Sequence, residues 1–156
     1  MPASKPAGRI ALSATLGPLE EINRAIRENR IDDYPRTNRA LGMHPIEFGS
    51  GTSRWRWTDQ PPQVLNPFGT IQGGYLGVFV DELFSTAIGS VLEAGEWAIT
   101  AEMKISYLRA LTPGPIEGSA RVVRRTRTIA FVEATVTTAK GEAAAIGSST
   151  WAVQRK

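Results

Sequence analysis

Residues 66–81 of the chain read NPFGTIQGGYLGVFVD, which joins a turn, a pair of glycines and an apolar segment that carries one carboxylate. The spacing of four between Gly73, Gly77 and Asp81 places all three on one face of a helix. A carboxylate on an apolar helix is costly to desolvate. We therefore expect Asp81 to have either a compensating partner or a chemical role.

The two ends of this helix face have different chemistry. Gly73 stands near the helix start, where a free backbone N–H and the helix dipole can hold a developing negative charge. Eight residues of helix rise about 12 Å, so Asp81 cannot reach the group that Gly73 touches. If both act on one small group, they come from two helices, and the simplest second helix belongs to a copy related by a twofold axis. The motif therefore predicts an active site shared across a homodimer.

Composition limits the possible functions. The chain has 156 residues, 42% of them hydrophobic, which fits one domain with one core. A net charge of +3 is too small to indicate nucleic-acid binding. The absence of cysteine excludes disulfides and thiolate catalysis, and His44, the only histidine, cannot build a multi-histidine metal site. No long apolar run or signal peptide is present, which predicts a cytoplasmic protein without a membrane partner.

The order of elements predicts an α+β domain. Residues 1–42 are predicted to form an arm and helical extension, with a helix over 18–30 and a helical turn over 36–41 that Gly42 ends. Residues 43–156 form the main domain. Its predicted elements are a hairpin around 49–51, a helix over 73–92 and strands over 97–108, 116–124, 129–138 and 143–153. Apolar residues recur with strict period two in the first of these strands, from Ile99 to Tyr107. An antiparallel sheet wrapped around one long helix is the natural packing, and its free edges invite a second copy.

The motif resembles that of the PaaI-like group of acyl-CoA thioesterases, which have the hotdog fold. The positions that fit the group's pattern are Asn66, Gly69, Gly73, Gly74 and Asp81. Gln72 stands where a histidine is usual, and residues 100–110 resemble the group's long strand after the helix. The resemblance implies hydrolysis of an acyl-CoA thioester to a free acid and coenzyme A. It implies no metal or other cofactor, since coenzyme A is part of the substrate.

The resemblance also assigns roles to single residues. Asp81 would be the nucleophile or the general base, and the Gly73 N–H would hold the oxyanion. Gln72 and Asn66 would orient the substrate carbonyl or the water, although Gln72 cannot take up a proton near neutral pH. Asn66 is equally well explained as a turn residue before a proline.

Further positions have both a functional and a structural interpretation. Thr100 is a hydroxyl near the acid in the resembling family, or simply a β-branched strand residue. Gly74 lets a ligand or a partner backbone come close, or helps packing. Arg124, Arg125 and Arg127 cluster at a hairpin end, where they contact coenzyme A phosphates or are solvated turn residues. Apolar side chains are expected to line the acyl pocket, among them Tyr75, Phe79 and Phe84.

Other functions stay open at this stage. Glu82 is the alternative acid, and His44 is expected to be a surface or packing residue. A hydratase or dehydratase is disfavoured, because that chemistry pairs a histidine with the acid. A non-catalytic acyl-CoA-binding or regulatory hotdog module is the main alternative, which release of free thiol from acyl-CoA would exclude. The assembly is expected to be a homodimer or a dimer of dimers, that is, a homotetramer.

Overall fold

The computed structural model describes residues 22–28, 30 and 38–155, which form one antiparallel sheet and one long helix. The central helix spans Gly73–Gly89, and short 3-10 helices span Arg39–Leu41 and Pro62–Val64. The strands are β1 (Met43–Gly49), β2 (Thr52–Trp57), β3 (Glu96–Tyr107), β4 (Ile116–Arg125), β5 (Ile129–Thr137) and β6 (Ala143–Arg155). All the elements predicted for the main domain are therefore present.

The six strands form a single sheet in the order β1-β2-β4-β5-β6-β3, and every neighbouring pair is antiparallel. Two edges follow from this order. Among the described residues, β1 pairs only with β2 and forms one edge, and β3 pairs only with β6 and forms the other. The strand that follows the central helix in the chain is thus a free edge of twelve residues.

The sheet packs around the central helix, and two glycines on the strands make this close packing possible. A Cβ at Gly118 would meet Leu83 at 2.5 Å and Phe79 at 2.9 Å, and a Cβ at Gly147 would meet Phe84 at 3.0 Å. The two core tryptophans of β2 complete the packing: Trp57 stacks near Phe79, and Trp55 donates to the Thr86 hydroxyl. The predicted sheet wrapped around one helix is confirmed.

The N-terminal region is described only in part. Residues 22–27 are helical, which confirms the predicted helix where it is described, while residues 1–16 lie outside the described residues. Ile26 packs on Gly89, and Arg27 donates to the carbonyl of Leu92 over 2.7 Å. These contacts cover the C-terminal end of the central helix, which stops at Gly89 rather than at residue 92. The boundary between an extension (1–42) and the main domain stays a prediction.

Gly42 ends the second helical segment, as its position predicted. Its φ is +79°, and a Cβ there would lie 1.9 Å from the carbonyl oxygen of Thr58. Only glycine fits at this junction between the 3-10 helix and β1.

The strict alternation predicted for β3 is wrong, because the strand contains a bulge. The pairing of β3 with β6 shifts between Thr100 and Glu102. Before the shift, Thr100 pairs with buried Trp151 and faces the helix, so Ile99 faces away from it. After the shift, Met103 and alternate residues face the helix. A bulge inserts one residue and so reverses the phase of the side chains. It brings Thr100, rather than Ile99, to the inner face.

Candidate active site

A groove of about 580 Å³ runs between the central helix and the free edge strand β3. Its lining residues come from these two elements: Gly73, Gly74, Gly77, Val78, Asp81, Thr100, Met103, Ile105 and Tyr107. The predicted shared face of Gly73, Gly77 and Asp81 is confirmed. Apolar lining side chains remain exposed here, including Val78 at 40% and Tyr107 at 54%. The groove is therefore an apolar surface that carries one acid.

Asp81 is the acid of the groove. The Thr100 hydroxyl donates to Asp81 Oδ1 over 3.2 Å. Partial burial of the carboxyl raises its pKa above the ordinary value, and the hydrogen bond from Thr100 partly offsets this effect. Burial among apolar groups penalises the ionised form more than one weak hydrogen bond stabilises it. The groove thus holds a carboxylate whose proton affinity is enhanced, as expected for a general base.

The start of the central helix leaves two backbone donors free. Gln72 is the N-cap residue, and its side chain makes no capping hydrogen bond. Its carbonyl accepts from the N–H groups of Tyr75 and Leu76, over 3.0 and 3.2 Å. None of residues 38–155 accepts a hydrogen bond from the N–H of Gly73 or Gly74. These two amides, at the positive end of the helix dipole, are available to a negatively charged oxygen.

Asn66 organises its own loop. Its Oδ1 accepts from the N–H groups of Phe68 and Thr70, and its Nδ2 donates to the Thr70 hydroxyl over 2.7 Å. The loop then enters the helix through a bridge between Leu65 and Ile71. These hydrogen bonds support the interpretation of Asn66 as a turn residue, and its side chain does not line the groove.

The arginines of the β4–β5 hairpin differ from one another. Arg125 forms an ion pair with Glu96, whose side chain is only 4% exposed, and Arg155 also pairs with Glu96 over 3.3 Å. Arg127 is exposed in the turn and forms no ion pair with any other residue that the structure describes. Arg125 pairs with Ala130, Ala130 with Trp151, and Trp151 with Thr100. Across the sheet, Arg125 and Thr100 are therefore three strand spacings apart, or about 14 Å. Arg125 thus lies three strands away from Thr100, the hydrogen-bond partner of Asp81.

The expected acyl pocket is wrong for Phe79 and Phe84. Both rings are fully buried and pack into the sheet against Gly118 and Gly147, where the glycines leave room for them. Tyr75 packs against the same core and does not line the groove. The residues that line the groove instead are Val78, Met103, Ile105 and Tyr107. For the three residues on β3, the signal in the sequence was the alternation along that strand, but the bulge hides which face they occupy.

The remaining candidates stand apart from the groove. His44 is exposed on β1, at the opposite edge of the sheet, and Glu82 does not line the groove. Within the described ranges, no cluster of three acidic or histidine side chains is arranged to hold a metal ion. No described helix has the length and apolar character needed to cross a bilayer.

Comparison with known proteins places the chain in a family. The model of the thioesterase superfamily matches residues 68–145, which is half of the chain and covers the central helix and strands β3 to β5. The chain belongs to the thioesterase superfamily, whose members include thioester hydrolases. No curated protein sequence matches it.

Solved structures share the whole fold. The conserved protein PA5202 of Pseudomonas aeruginosa is 28% identical and superposes with a TM-score of 0.71, over 77% of this chain and 94% of the other. The PaaI protein from the phenylacetic acid degradation operon of E. coli is 20% identical, with a TM-score of 0.73 over 86% and 96% of the two chains. A thioesterase of Haemophilus influenzae, HI1161, is 19% identical, with a TM-score of 0.71 over 88% and 90%. The fold is the hotdog fold, of the PaaI-like type.

Proposed function

We propose that the chain hydrolyses an acyl-CoA thioester, with Asp81 and the Gly73 N–H acting on one carbonyl at a dimer interface. The observation that carries the proposal is the groove itself. It holds a carboxylate of raised pKa near one end and two unpaired backbone donors at the other, both on one face of one helix. An acid and an amide donor are the two groups that attack on a thioester requires.

The dimer follows from the length of the helix. Gly73 and Asp81 are separated by about 12 Å along the helix axis, too far to act on one carbonyl within a protomer. A twofold axis passing near Gly77 would bring Asp81 of one protomer to Gly73 of its partner. The free edge of β3 and the exposed apolar side chains of the groove support an interface at this place.

The register of this interface can be derived from β3. On β3, Thr100 lies beside Asp81 and Tyr107 lies beside Gly73. A twofold axis that exchanges Asp81 and Gly73 therefore crosses the strand midway between Thr100 and Tyr107, near Met103 or Lys104. Residues directly opposite each other in an antiparallel pair face the same side. Centring on Lys104 would oppose two like charges, which is unfavourable. We infer that Met103, which faces the groove, pairs with its own copy.

The reaction then proceeds by one of two routes. With Asp81 as general base, the carboxylate takes a proton from water, and the hydroxide attacks the thioester carbon. With Asp81 as nucleophile, the carboxylate attacks that carbon, and water hydrolyses the resulting anhydride. In both routes the Gly73 N–H stabilises the oxyanion, the C–S bond breaks, and the coenzyme A thiolate leaves and is protonated. Gln72 would orient the carbonyl or the water by hydrogen bonding only.

A non-catalytic acyl-CoA-binding module is the second candidate, and Gln72 favours it. An amide at this position cannot transfer a proton, and in the described part of the chain Asp81 is the only acid that lines the groove. The two functions differ in one measurement: release of free thiol from a panel of acyl-CoA thioesters.

We expect the wild type to release thiol, Asp81→Asn to lose at least about 99% of the rate, and Glu82→Gln to retain it. Activity that survives Asp81→Asn would contradict the assignment of the acid. Binding of acyl-CoA without any thiol release would establish the module instead.

A further inference from the structure

Tyr107 lies directly over the first residue of the central helix. Its hydroxyl donates to the Gly73 carbonyl over 2.9 Å. Its ring also covers Gly73, since a Cβ built on that glycine would lie 3.3 Å from both Cζ and Oη of the tyrosine. The residue is on the last position of β3, so this contact joins the sheet edge to the helix start.

Backbone hydrogen bonds hold the residues on either side of the two glycines, but side chains form few hydrogen bonds with the glycines themselves. Gly73 and Gly74 have no side chains to pack, and two consecutive glycines have the most flexible backbone available. The N-cap Gln72 offers no side-chain hydrogen bond to them. Among the described residues, Tyr107 is the only one whose side chain forms a hydrogen bond with the backbone of either glycine.

The same strand also holds the acid. Thr100 bonds to Asp81 at one end of the groove, and Tyr107 bonds to Gly73 at the other. Through these two contacts, β3 fixes the positions of both Asp81 and Gly73 relative to the same strand. When two copies pair along this strand, an error in the position of either group would separate the acid of one protomer from the amide of its partner. A misplacement of about 1 Å costs on the order of 100-fold in rate.

We propose that Tyr107 is a positioning residue of the thioester site, whose hydroxyl fixes the first helical turn so that the Gly73 N–H points at the thioester oxygen. This inference rests on the proposed function. Tyr107 acts through the Gly73 peptide rather than on the substrate. Loss of the hydroxyl therefore impairs stabilisation of the oxyanion, which exists only during the reaction, and leaves ground-state binding in place.

The test is Tyr107→Phe, which keeps the ring and removes only the hydroxyl. We expect kcat to fall about tenfold, as for loss of one hydrogen bond, with KM within about twofold of wild type. The acid limb of the pH–rate profile stays in place, because the contact between Thr100 and Asp81 is separate. Leu108→Ala, at the exposed neighbouring residue, is the control for disturbance of this end of the strand. An unchanged kcat, or a rise in KM alone, overturns the proposal.

A second measurement does not depend on activity. The chain has fifteen glycines, so selective ¹⁵N-glycine labelling gives a simple amide spectrum. The Gly73 carbonyl and the Gly74 N–H belong to one peptide unit, so Tyr107→Phe should shift the Gly74 amide resonance. If the wild type releases no thiol, the proposed function fails. The glycine spectrum alone then tests whether the Tyr107 hydroxyl fixes the first helical turn. An unchanged Gly74 amide resonance would overturn that role.

Discussion

The Thr100 hydroxyl donates a hydrogen bond to Asp81 across the groove, and it reaches the inner face of the sheet only because β3 bulges immediately after it. This contact joins the acid of the central helix to the free edge of the sheet. The helix, the bulge and the edge strand thus act together to place one carboxylate in an apolar groove.

Removing the charge of Asp81 should stabilise the fold while it abolishes hydrolysis. Because burial raises the pKa of this carboxyl, its ionised form is disfavoured in the folded state. The favourable contribution of the protonated group is present at low pH and is lost as pH rises through the raised pKa. Asp81→Asn should therefore raise Tm at pH 7 by about 1–3 °C. The difference should shrink as pH falls and vanish below about pH 3, where Asp81 is protonated in both folded and unfolded chains.

Removing the Thr100 hydroxyl should move the pH dependence of the reaction. The hydrogen bond from Thr100 lowers the pKa of Asp81, so Thr100→Val should raise that pKa further. Since the proposed reaction needs the carboxylate, the acid limb of kcat/KM should shift to higher pH. Thr100→Ser keeps a donor and should leave the limb in place. Coincident acid limbs in Thr100→Val and wild type would show that Asp81 does not control the rate.

A cysteine at residue 103 should cross-link the dimer. The chain has no native cysteine, so a single introduced thiol gives an unambiguous result. Residues opposite each other in an antiparallel pair have Cα atoms about 4.5–5.5 Å apart, within the range of a disulfide. Met103→Cys should therefore form a covalent dimer under mild oxidation, measured by non-reducing gel electrophoresis. Lys140→Cys, in the exposed β5–β6 turn, is the matched control. Equal cross-linking of both variants would contradict the derived register.

The two hairpin arginines should give different phenotypes. Arg127 is exposed, and if it contacts the phosphates of coenzyme A, Arg127→Ala should raise KM for acyl-CoA about three- to tenfold. The KM for the corresponding acyl-pantetheine, which lacks the nucleotide, should not change. An equal KM for acyl-CoA in variant and wild type would remove Arg127 from the binding surface.

Arg125 should act on stability. Its loss leaves Glu96 buried with Arg155 as the one remaining charged partner among the residues that the structure describes. Arg125→Ala should lower the free energy of unfolding by about 3 kcal/mol, measured by urea denaturation. Arg124→Ala, at the exposed preceding residue, should change it by less than about 0.5 kcal/mol. A stable Arg125→Ala protein with a raised KM for acyl-CoA would instead favour the phosphate-binding role.

The sequence determined the elements and the helix face. Periods of 3.6 and 2, together with glycine and proline signals, identified the central helix and all six strands, because each is a local property of the chain. The spacing of four fixed Gly73, Gly77 and Asp81 on one face for the same reason. Helix length alone also predicted a site shared between two copies, since about 12 Å of rise is a local quantity, and this stays a prediction.

Tertiary structure decided which side chains line the groove. The bulge in β3 reversed the side-chain phase, so that Thr100 rather than Ile99 faces Asp81, and no local pattern marks that reversal. Gly118 and Gly147, distant in sequence from the helix, created the space that buries Phe79 and Phe84. The partner of Arg125 is 29 residues away, and the tyrosine over Gly73 is 34 residues away. Such contacts depend on which strands become neighbours in the sheet, which is a long-range property that the order of residues does not display.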